Sequence, residues 1–378
     1  MARIFDLHGL ASLAVEDDRE HVFRRLNSQL DPYEPSVGMV PAATDVVLTP
    51  NDDILPGTLC DVHGPAGDGR RTGSDGRRCY LLHGNCRFEL PRLRSQMGQV
   101  RLSYDRSFPL WEAFSEVVRP LLQLATIKRG AVTVQGTAVQ VGEGGLLVCG
   151  WSETGKTETA LALAESGARF ISDKWTIIDS RASIHAFPVP VGIRDWVLDY
   201  LPRLRACVRT SQRARLRVSR TARRALPLFG RPASTPLGAV VESQLDRALA
   251  LAGRLSLRQT EVAAVYGSSQ DTALTPPLMT LAMLTTVSRD EVSVRPAELG
   301  WTAERLTRSA AYERRTLYEL DARVRYASAE PGPSALLAAR DLEAELLRGI
   351  LDGVQLLEVR APFPTDPRKV ADALAKWC

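Results

Sequence analysis

A glycine-rich stretch near the middle of the chain carries the residues best suited to chemistry. Gly150, Gly155, Lys156 and Thr157 satisfy the spacing G-x-x-x-x-G-K-[ST], which is typical of loops that bind nucleotide phosphates. Glycines let backbone N–H groups approach phosphate oxygens, and a helix that begins at the loop adds partial positive charge. In such a loop the lysine reaches the β- and γ-phosphates, and the threonine hydroxyl binds Mg²⁺. The spacing therefore predicts a site for ATP and Mg²⁺.

The segments around the loop have the patterns needed to position it. The apolar run Leu146–Cys149 predicts a buried strand that enters the loop, and residues 157–165 predict a helix that leaves it. Gly167 is a candidate for the end of this helix, and residues 169–172 predict a second strand that ends at Asp173. A carboxylate at the C-terminal end of a strand beside the loop would face the γ-phosphate.

These residues resemble the core of a known family. The resemblance rests on Gly144–Gly150, Ser152, the run from Gly155 to Leu161, Gly167, and Ile171–Asp173. Together they are similar to HPr kinase/phosphorylase and the related serine kinases, over roughly residues 128–180. That family shares its nucleotide fold with phosphoenolpyruvate carboxykinase. The resemblance implies an α/β fold class in which a mixed sheet, flanked by helices, contains the phosphate loop.

The resemblance also implies roles for the matched positions. Asp173 lies where the family has its catalytic aspartate, the general base that takes the proton from a serine hydroxyl. Lys156 would act with it in catalysis, and Thr157 and Asp173 would hold Mg²⁺. The residues expected to bind ATP are Gly150, Ser152, Thr154, Gly155, Lys156, Thr157 and Glu158.

Two positions depart from the family pattern. Glu153 stands where the family usually has glycine, and it puts a negative charge at the crown of the loop. Lys174 follows Asp173 where a second acid is usual. Lys174 could pair with phosphate or stabilise ionised Asp173, or it could signal weaker metal binding or a lost reverse reaction. Arg194 is a candidate phosphate clamp, with a surface arginine as the alternative.

Bulk properties limit the class of protein. The 378 residues include 44% hydrophobic and 24% charged residues, which is typical of a soluble globular protein. No apolar run approaches the roughly 18 residues of a membrane span, and residues 1–20 lack the apolar core of a signal peptide. Six scattered cysteines beside an ATP-type loop indicate reduced thiols, and hence a cytoplasmic protein.

The pattern along the chain predicts two regions, an N-terminal α/β region at 1–127 and a nucleotide-binding kinase domain at 128–378. The local predictions are a helix from Glu20, a loop at 64–78, a hairpin at 79–90, a helix at 111–124, strands at 131–135 and 137–141, a strand pair at 175–179 and 183–187, a strand at 256–266, a helix at 277–286, a strand at 354–359 and a closing helix from Asp366.

An arginine-rich segment, residues 200–241, has neither acid nor lysine after Tyr200 and before Val241. The rest of the chain carries a net negative charge. The ten arginines of the segment are Arg203, Arg205, Arg209, Arg213, Arg215, Arg217, Arg220, Arg223, Arg224 and Arg231. Helical spacing would align Arg213, Arg217, Arg220 and Arg224 on one face. We interpret the segment as a docking surface for an acidic partner, with a solvated helix face as the alternative. Nucleic acid is disfavoured because residues 203–228 contain no aromatic side chain for stacking.

Cysteine and histidine residues in the first region form a second candidate site. Cys60, His63, Cys79, His83 and Cys86 include residue types that bind zinc, but their spacing matches no standard zinc module. The alternative is a hairpin whose ends carry His83 and Cys86.

The favoured hypothesis is an ATP-dependent kinase that phosphorylates a hydroxyl group, most simply a serine of a protein or peptide. Phosphoryl transfer depends mainly on positioning and charge neutralisation, which the predicted loop and aspartate would supply. A small-molecule kinase with the same core and a non-catalytic ATP-binding regulatory module stay open as alternatives. A homo-oligomer, with no membrane contact, is compatible with the composition.

Overall fold

The N-terminal region is built on strands in which apolar residues alternate or run continuously. The computed structural model describes residues 1–55, 60–63, 70–74, 78–91, 98–225, 253–267, 275–288, 291–328 and 334–378. Within them, one sheet has the strand order β3-β1-β2-β4-β9-β8-β7-β6-β5. Its strands are β1 (Ala2–Leu7), β2 (Ala11–Val15), β3 (Ser36–Gly38), β4 (Val46–Pro50), β5 (Cys60–His63), β6 (Arg70–Ser74), β7 (Arg78–His83), β8 (Cys86–Pro91) and β9 (Val100–Tyr104).

Two helical segments cover this sheet. The first, α1 (Glu20–Leu30), buries Val22, Leu26 and Leu30, which are spaced one turn apart. The second runs from residue 110 to residue 127 as α2 (Leu110–Ala113), a π-helical turn (Phe114–Val118) and α3 (Arg119–Ile127). Both helices and the β7–β8 hairpin were predicted from sequence. The predicted loop at 64–78 is wrong in part, since β6 lies inside it; residues 64–69 and 75–77 are outside the described residues.

The second region contains a six-stranded mixed sheet with the order β13-β11-β12-β18-β20-β19, counted over the described residues. Its strands are β11 (Gly136–Val141), β12 (Gly144–Gly150), β13 (Arg169–Ser172), β18 (Leu278–Thr286), β19 (Ser293–Pro296) and β20 (Gln355–Ala361). Strands β12, β18 and β20 are parallel, whereas β11 runs antiparallel to both β12 and β13. Consequently β12 and β13 run in the same direction, and their C-terminal ends lie at one edge of the sheet.

Smaller sheets and a set of helices complete the second region. The strands are β10 (Val132–Val134), β14 (Thr176–Ile178), β15 (Ile184–Ala186), β16 (Val191–Arg194) and β17 (Arg254–Leu257). The described helices are α4 (Lys156–Glu165), a 3-10 helix (Asp195–Asp199), α5 (Pro202–Cys207), α6 (Thr210–Ala225), α7 (Gln259–Tyr266), α8 (Leu299–Glu313), α9 (Arg315–Ser328), α10 (Ala335–Ile350) and α11 (Pro367–Ala375). The described part of the chain is therefore a mixed α/β protein.

The central strand β12 is buried on both faces. Leu146 and Val148 pack in one hydrophobic cluster with α4 and α11, and Leu147 and Cys149 pack in another with α8 and α10. This arrangement explains why the strand is a continuous apolar run rather than an alternating one. It also places α4 and α8 on opposite faces of the sheet, where each helix packs against β12.

Two predicted elements are wrong. Residues 277–286 were predicted as a helix but form β18, and the predicted strand at 256–266 is the end of β17 followed by α7. Apart from the loop at 64–78, the other local predictions are confirmed, including Asp366 at the N-cap of α11, where its side chain accepts a hydrogen bond from Arg368 N at 3.0 Å. The arginine-rich segment is helical in α5 and α6, as predicted. Residues 226–241, which include Arg231, lie outside the described residues.

One hydrophobic core crosses the boundary predicted at residues 127 and 128. It joins Phe5 and Leu121 of the first region to Trp175, Phe187 and Leu317 of the second. Polar contacts cross the same boundary, since the Tyr33 hydroxyl donates to Ala186 O at 2.6 Å. The two regions are therefore packed together through a shared interior, and their independence as folding units stays a prediction.

Candidate active site

The loop between β12 and α4, residues 150–155, has a backbone path that its glycines make possible. Gly150 has φ 151°, and a Cβ there would lie 2.7 Å from Thr154 Oγ1 and 2.8 Å from Leu284 O. Gly155 has φ 91° immediately before α4, and a Cβ there would lie 3.3 Å from the Phe363 ring. Both positions combine a left-handed backbone with close neighbours, so a larger residue would be strained at either one.

The loop presents backbone donors and a lysine at the start of α4. No side chain caps the N-terminus of this helix, so its first N–H groups and the positive end of its dipole are directed to the loop. Lys156 is buried, with 8% of its surface exposed, and its Nζ donates to Trp151 O at 2.6 Å. Burial lowers the pKa of Lys156, against the opposing effect of nearby Asp173, Glu158 and Glu313.

The strand order brings the Asp173 carboxylate next to the end of the loop. Its Oδ1 accepts hydrogen bonds from Thr157 Oγ1 at 2.6 Å and from Thr137 Oγ1 at 2.7 Å. The residue is 2% exposed. Thr137 is the second residue of β11 and Asp173 follows β13, so the antiparallel pairing of these strands places both at the sheet edge where β12 ends. Two hydroxyls thus fix the carboxylate beside the start of α4.

A tight turn follows Asp173 and holds Lys174 in an uncommon conformation. Lys174 has φ 63°, and Trp175 N donates to Asp173 O at 2.7 Å, which together define a γ-turn. Ser172 Oγ donates to Trp175 O at 2.6 Å, and Phe187 N donates to Ser172 Oγ at 3.2 Å. Strained backbone of this kind persists only where its surroundings enforce it, and it clusters at functional sites.

Lys174 belongs to a group of charges on the side of the site that faces the N-terminal region. The side chain keeps contact with solvent, yet the surrounding protein lowers its pKa. The positive charges of Arg119 and Arg254 act in the same direction, while Glu313 and Asp173 oppose them. Lys174 is therefore influenced by cations from two other parts of the chain.

Glu153 and Arg194 meet at the crown of the loop. Glu153 has φ 63°, and its Oε1 accepts a hydrogen bond from Arg194 Nη2 at 2.5 Å. Arg254 Nη2 lies 3.9 Å from the same oxygen, and the Arg194 guanidinium carbon lies 5.4 Å from the Phe363 ring centroid. The negative charge that departs from the family pattern is thus balanced by two arginines.

Glu158, the first acidic residue after Glu153, lies in the first turn of α4. Burial raises the pKa of Glu158, while nearby Arg194 and Lys156 act in the opposite direction and Asp173 adds to the rise. A carboxyl whose pKa is raised in this way is more readily protonated than a free glutamate.

An aromatic pair stands beside the loop on the opposite face of the sheet from α4. Trp151 and Tyr312 are 45% and 44% exposed, and their ring centroids are 4.7 Å apart. Next to them is a cavity of about 240 Å³ between the loop and α8. It is lined by Gly150, Trp151, Met283, Arg305, Leu306, Arg308 and Ser309. Large exposed aromatic side chains at the mouth of a cavity are typical of recognition surfaces.

The residues predicted from sequence occupy one edge of the sheet. Gly150, Ser152, Thr154, Gly155, Lys156, Thr157 and Glu158 form the loop and the first turn of α4, and Asp173 lies against Thr157. Sequence reasoning missed Thr137, Trp151, Tyr312, Arg119 and Glu313. The pairing of β11 with β12 could have indicated Thr137, whereas no sequence signal connects Arg119 or Glu313 to the loop.

The candidate zinc ligands are distributed along the first sheet. Across the β7–β8 turn His83 pairs with Cys86, whose Sγ donates to Ser107 O at 3.3 Å. Cys79 is buried inside β7, and burial raises the pKa of its thiol to about 12. Among the described residues, no group of three or more histidine, cysteine, aspartate or glutamate side chains could hold a metal ion. The side chain of Cys60 lies outside the described residues.

Comparison with known proteins identifies no relative: no family model matches the chain, and no curated protein is significantly similar to it. In the part of the chain that the structure describes, no helix is both long enough and apolar enough to cross a membrane.

Proposed function

We propose that the chain is an ATP-dependent kinase of the HPr-kinase-like class, which transfers the γ-phosphoryl group to a hydroxyl. The observation that carries the proposal is the Asp173 carboxylate, which two threonine hydroxyls hold beside the lysine-bearing glycine loop. A strand, this loop, a helix and a second parallel strand ending in aspartate form the arrangement implied by the resemblance. They support a P-loop core like that of HPr kinase and phosphoenolpyruvate carboxykinase.

The loop supplies what binding of nucleotide phosphates requires. Glycines at 150 and 155 keep side chains away from the backbone donors, and the uncapped start of α4 favours negative charge. Lys156 donates to the neutral carbonyl of Trp151, so its ammonium can exchange this bond for stronger ones with the β- and γ-phosphate oxygens. The protein thereby stabilises ATP through groups that are already in place.

Thr157 and Asp173 fit a magnesium ion. Thr157 Oγ1 donates to Asp173 Oδ1 at 2.6 Å, so these two neighbouring residues would hold the ion, and Mg²⁺ is commonly bound by one or two protein oxygens together with substrate phosphates. This mode does not require three protein carboxylates. When bound, the ion would neutralise charge that develops on the phosphoryl oxygens.

Asp173 is placed to accept the proton of the acceptor. Both threonine bonds use Oδ1, so Oδ2 can receive the hydroxyl proton. As the acceptor oxygen forms its bond to the γ-phosphorus, the bond from that phosphorus to the β–γ bridging oxygen breaks, and ADP leaves with the electron pair. Lys156 and the N–H groups of the loop stabilise the charge during transfer.

The exposed Trp151 and Tyr312 favour a protein or peptide acceptor over a small molecule. A small-molecule site usually encloses its ligand within about 300–1,000 Å³. Here the cavity beside the loop measures about 240 Å³, and nearly half of each aromatic side chain faces solvent. An extended chain could lie across these rings with its serine directed to Asp173. Use of ATP and the free state of the five described cysteines fit a cytoplasmic enzyme.

A peptide-array assay tests the proposal. Purified protein is incubated with Mg²⁺ and γ-labelled ATP on matched peptide arrays that carry either serine or alanine at the fixed position. We expect label on serine peptides alone, and about 10²-fold less label with the Asp173→Asn variant.

Three outcomes would point elsewhere. Label transferred only to metabolites would favour a small-molecule kinase. Binding of Mg·ATP without transfer to any acceptor would favour a regulatory module, and absence of ATP binding would reject the nucleotide site.

A further inference from the structure

Arg119 belongs to the N-terminal region and lies on a face of α3 that contacts the second region. It is the first residue of α3, and Gln123 lies one helical turn after it on the same face. Gln123 Oε1 accepts a hydrogen bond from Arg314 Nε at 2.9 Å, directly after the C-terminal end of α8. This face of α3 therefore lies against the end of α8, which also carries Tyr312 and Glu313.

The guanidinium group of Arg119 is incompletely satisfied by the protein. Its Nε is buried and has no hydrogen-bond partner among the described residues, and its Nη2 donates to Gln29 Oε1 over a long 3.4 Å. Burial lowers the pKa of Arg119 to about 10, against the attraction of Glu313. A buried donor on a charged group is costly to leave unpaired, and such groups are often completed by a ligand.

The surrounding charges indicate which ligand would complete it. Arg119 is close enough to Lys174 for its positive charge to lower the pKa of that lysine. Glu313 acts on Arg119, Lys174 and Lys156, so one carboxylate faces three cations. The excess of positive charge lies beside the γ-turn that presents Asp173. An anion at this point would be attracted by both Arg119 and Lys174.

We propose that Arg119 is a catalytic residue that contacts the terminal phosphoryl group of bound ATP, together with Lys174. The proposal rests on the proposed function, because it requires a nucleotide in the glycine loop. A planar guanidinium can hold two phosphoryl oxygens at once, and cations at these oxygens stabilise the charge of phosphoryl transfer. It also gives the N-terminal region a role, since Arg119 of that region would add a second cation to Lys174 at the phosphoryl group.

Calorimetric titration with two nucleotides tests the contact without knowledge of the acceptor. The ligands are Mg²⁺ complexes of a non-hydrolysable ATP analogue and of ADP, which differ by the terminal phosphoryl group. In Arg119→Gln we expect the Kd of the ATP analogue to rise about tenfold, because one charge-assisted contact is lost, while the Kd of ADP stays within twofold. Arg119→Lys keeps the charge and should give a rise of about threefold for the analogue alone.

Arg25→Gln is the matched control. Arg25 also belongs to the N-terminal region and lies over an aromatic ring, with its guanidinium carbon 4.0 Å from the Trp111 centroid. Its loss should change neither Kd. Thermal melting of each variant checks folding. If the glutamine variant does not fold, the lysine variant tests the contact through its expected rise of about threefold in the Kd of the ATP analogue alone.

The outcomes separate this inference from the proposed function. Equal weakening of both nucleotides, or no weakening of either, would overturn the role of Arg119 and leave the kinase proposal standing. If the unmodified protein bound neither nucleotide, both would fall.

Discussion

The two positively charged regions of this protein, the candidate active site and the arginine-rich segment, differ in the groups that their cations contact. In the first, after β12, Lys156 donates to a neutral carbonyl, and at the start of α3 a buried nitrogen of Arg119 has no partner among the described residues. On α6, by contrast, Arg220 Nε donates to Asp195 at 3.0 Å and Nη1 donates to Asp199 at 3.1 Å. The first region has positive charge available for a ligand, while the second uses part of its charge to hold the protein together.

Other arginines of the second region are also used internally. Arg213 donates to Val208 O at 2.8 Å, Arg215 donates to Arg254 O at 2.9 Å, and Arg203 donates to Val265 O at 2.7 Å. The ten arginines counted in the sequence therefore overstate the charge that a partner would meet. Docking of an acidic acceptor on this segment stays a prediction. The comparison teaches that the partners of cations, more than their number, indicate where a ligand binds.

Lys156→Ala should have the largest effect. It removes the charge that would meet the β- and γ-phosphates, so we expect ATP turnover to fall about 10³-fold. Release of ADP measures this change. Lys369→Ala, which alters an exposed lysine of α11, is the matched control and should retain full turnover. Normal turnover in Lys156→Ala would show that the glycine loop does not bind phosphates during the reaction.

Asp173→Asn should have the next largest effect. The amide oxygen can still accept the hydrogen bonds of Thr157 and Thr137, so the local geometry and the Kd for ATP should change by no more than a few-fold. Loss of the proton acceptor should lower phosphoryl transfer by about 10²-fold. Transfer at saturating ATP and equilibrium binding are measured on the same sample. If transfer persists, another group accepts the proton or none is needed.

His8→Asn extends the comparison to a buried side chain whose neutral form is favoured in the folded protein. His8 Nε2 is buried without a partner among the described residues, and its ring lies 4.8 Å from that of His185. Burial, with the nearby His185, lowers the pKa of His8 from 6.5 to about 4. The unfolded chain therefore binds the proton first, and stability is lost as the pH falls from 6.5 towards 4.

The size of this pH effect can be measured against the variant. We expect the unmodified protein to lose about 2 kcal/mol more of its unfolding free energy than His8→Asn between pH 7 and pH 4. Asparagine suits the position because His8 has φ 54°, which asparagine tolerates. Urea unfolding at several pH values provides the measurement. Parallel pH profiles for the two proteins would show that His8 is not protonated differently in the folded state.

Arg220→Gln should have the smallest effect, and it should act on stability instead of on catalysis. The Asp195 side chain is 10% exposed and would lose its partner, so we expect a loss of about 1 kcal/mol. The difference should shrink in high salt. Arg209→Gln, at an exposed arginine of the same segment, should change stability by less than about 0.5 kcal/mol. A higher Kd for ATP in Arg220→Gln would contradict the assignment of Arg220 to stability alone.

The error at β18 shows where local sequence signals fail. Its residues Leu281 and Met283 pack on one face of the sheet, and Ala282 and Leu284 pack on the other. Since the strand lies between β12 and β20, both faces are covered and no polar alternation develops. A short apolar run of this kind is compatible with a buried helix or a buried strand, and only pairing with neighbouring strands decides between them.

The sequence by itself determined the glycine loop, because Gly150, Gly155 and Lys156 act through local backbone geometry and short spacing. It also determined that an aspartate follows the next strand. Only the tertiary structure decided the rest of the candidate site. Thr137 reaches Asp173 by strand pairing across 36 positions of the chain, and a core shared by both regions packs α3, which carries Arg119, against the second region. Such contacts depend on packing between distant segments, which leaves no local trace in the sequence.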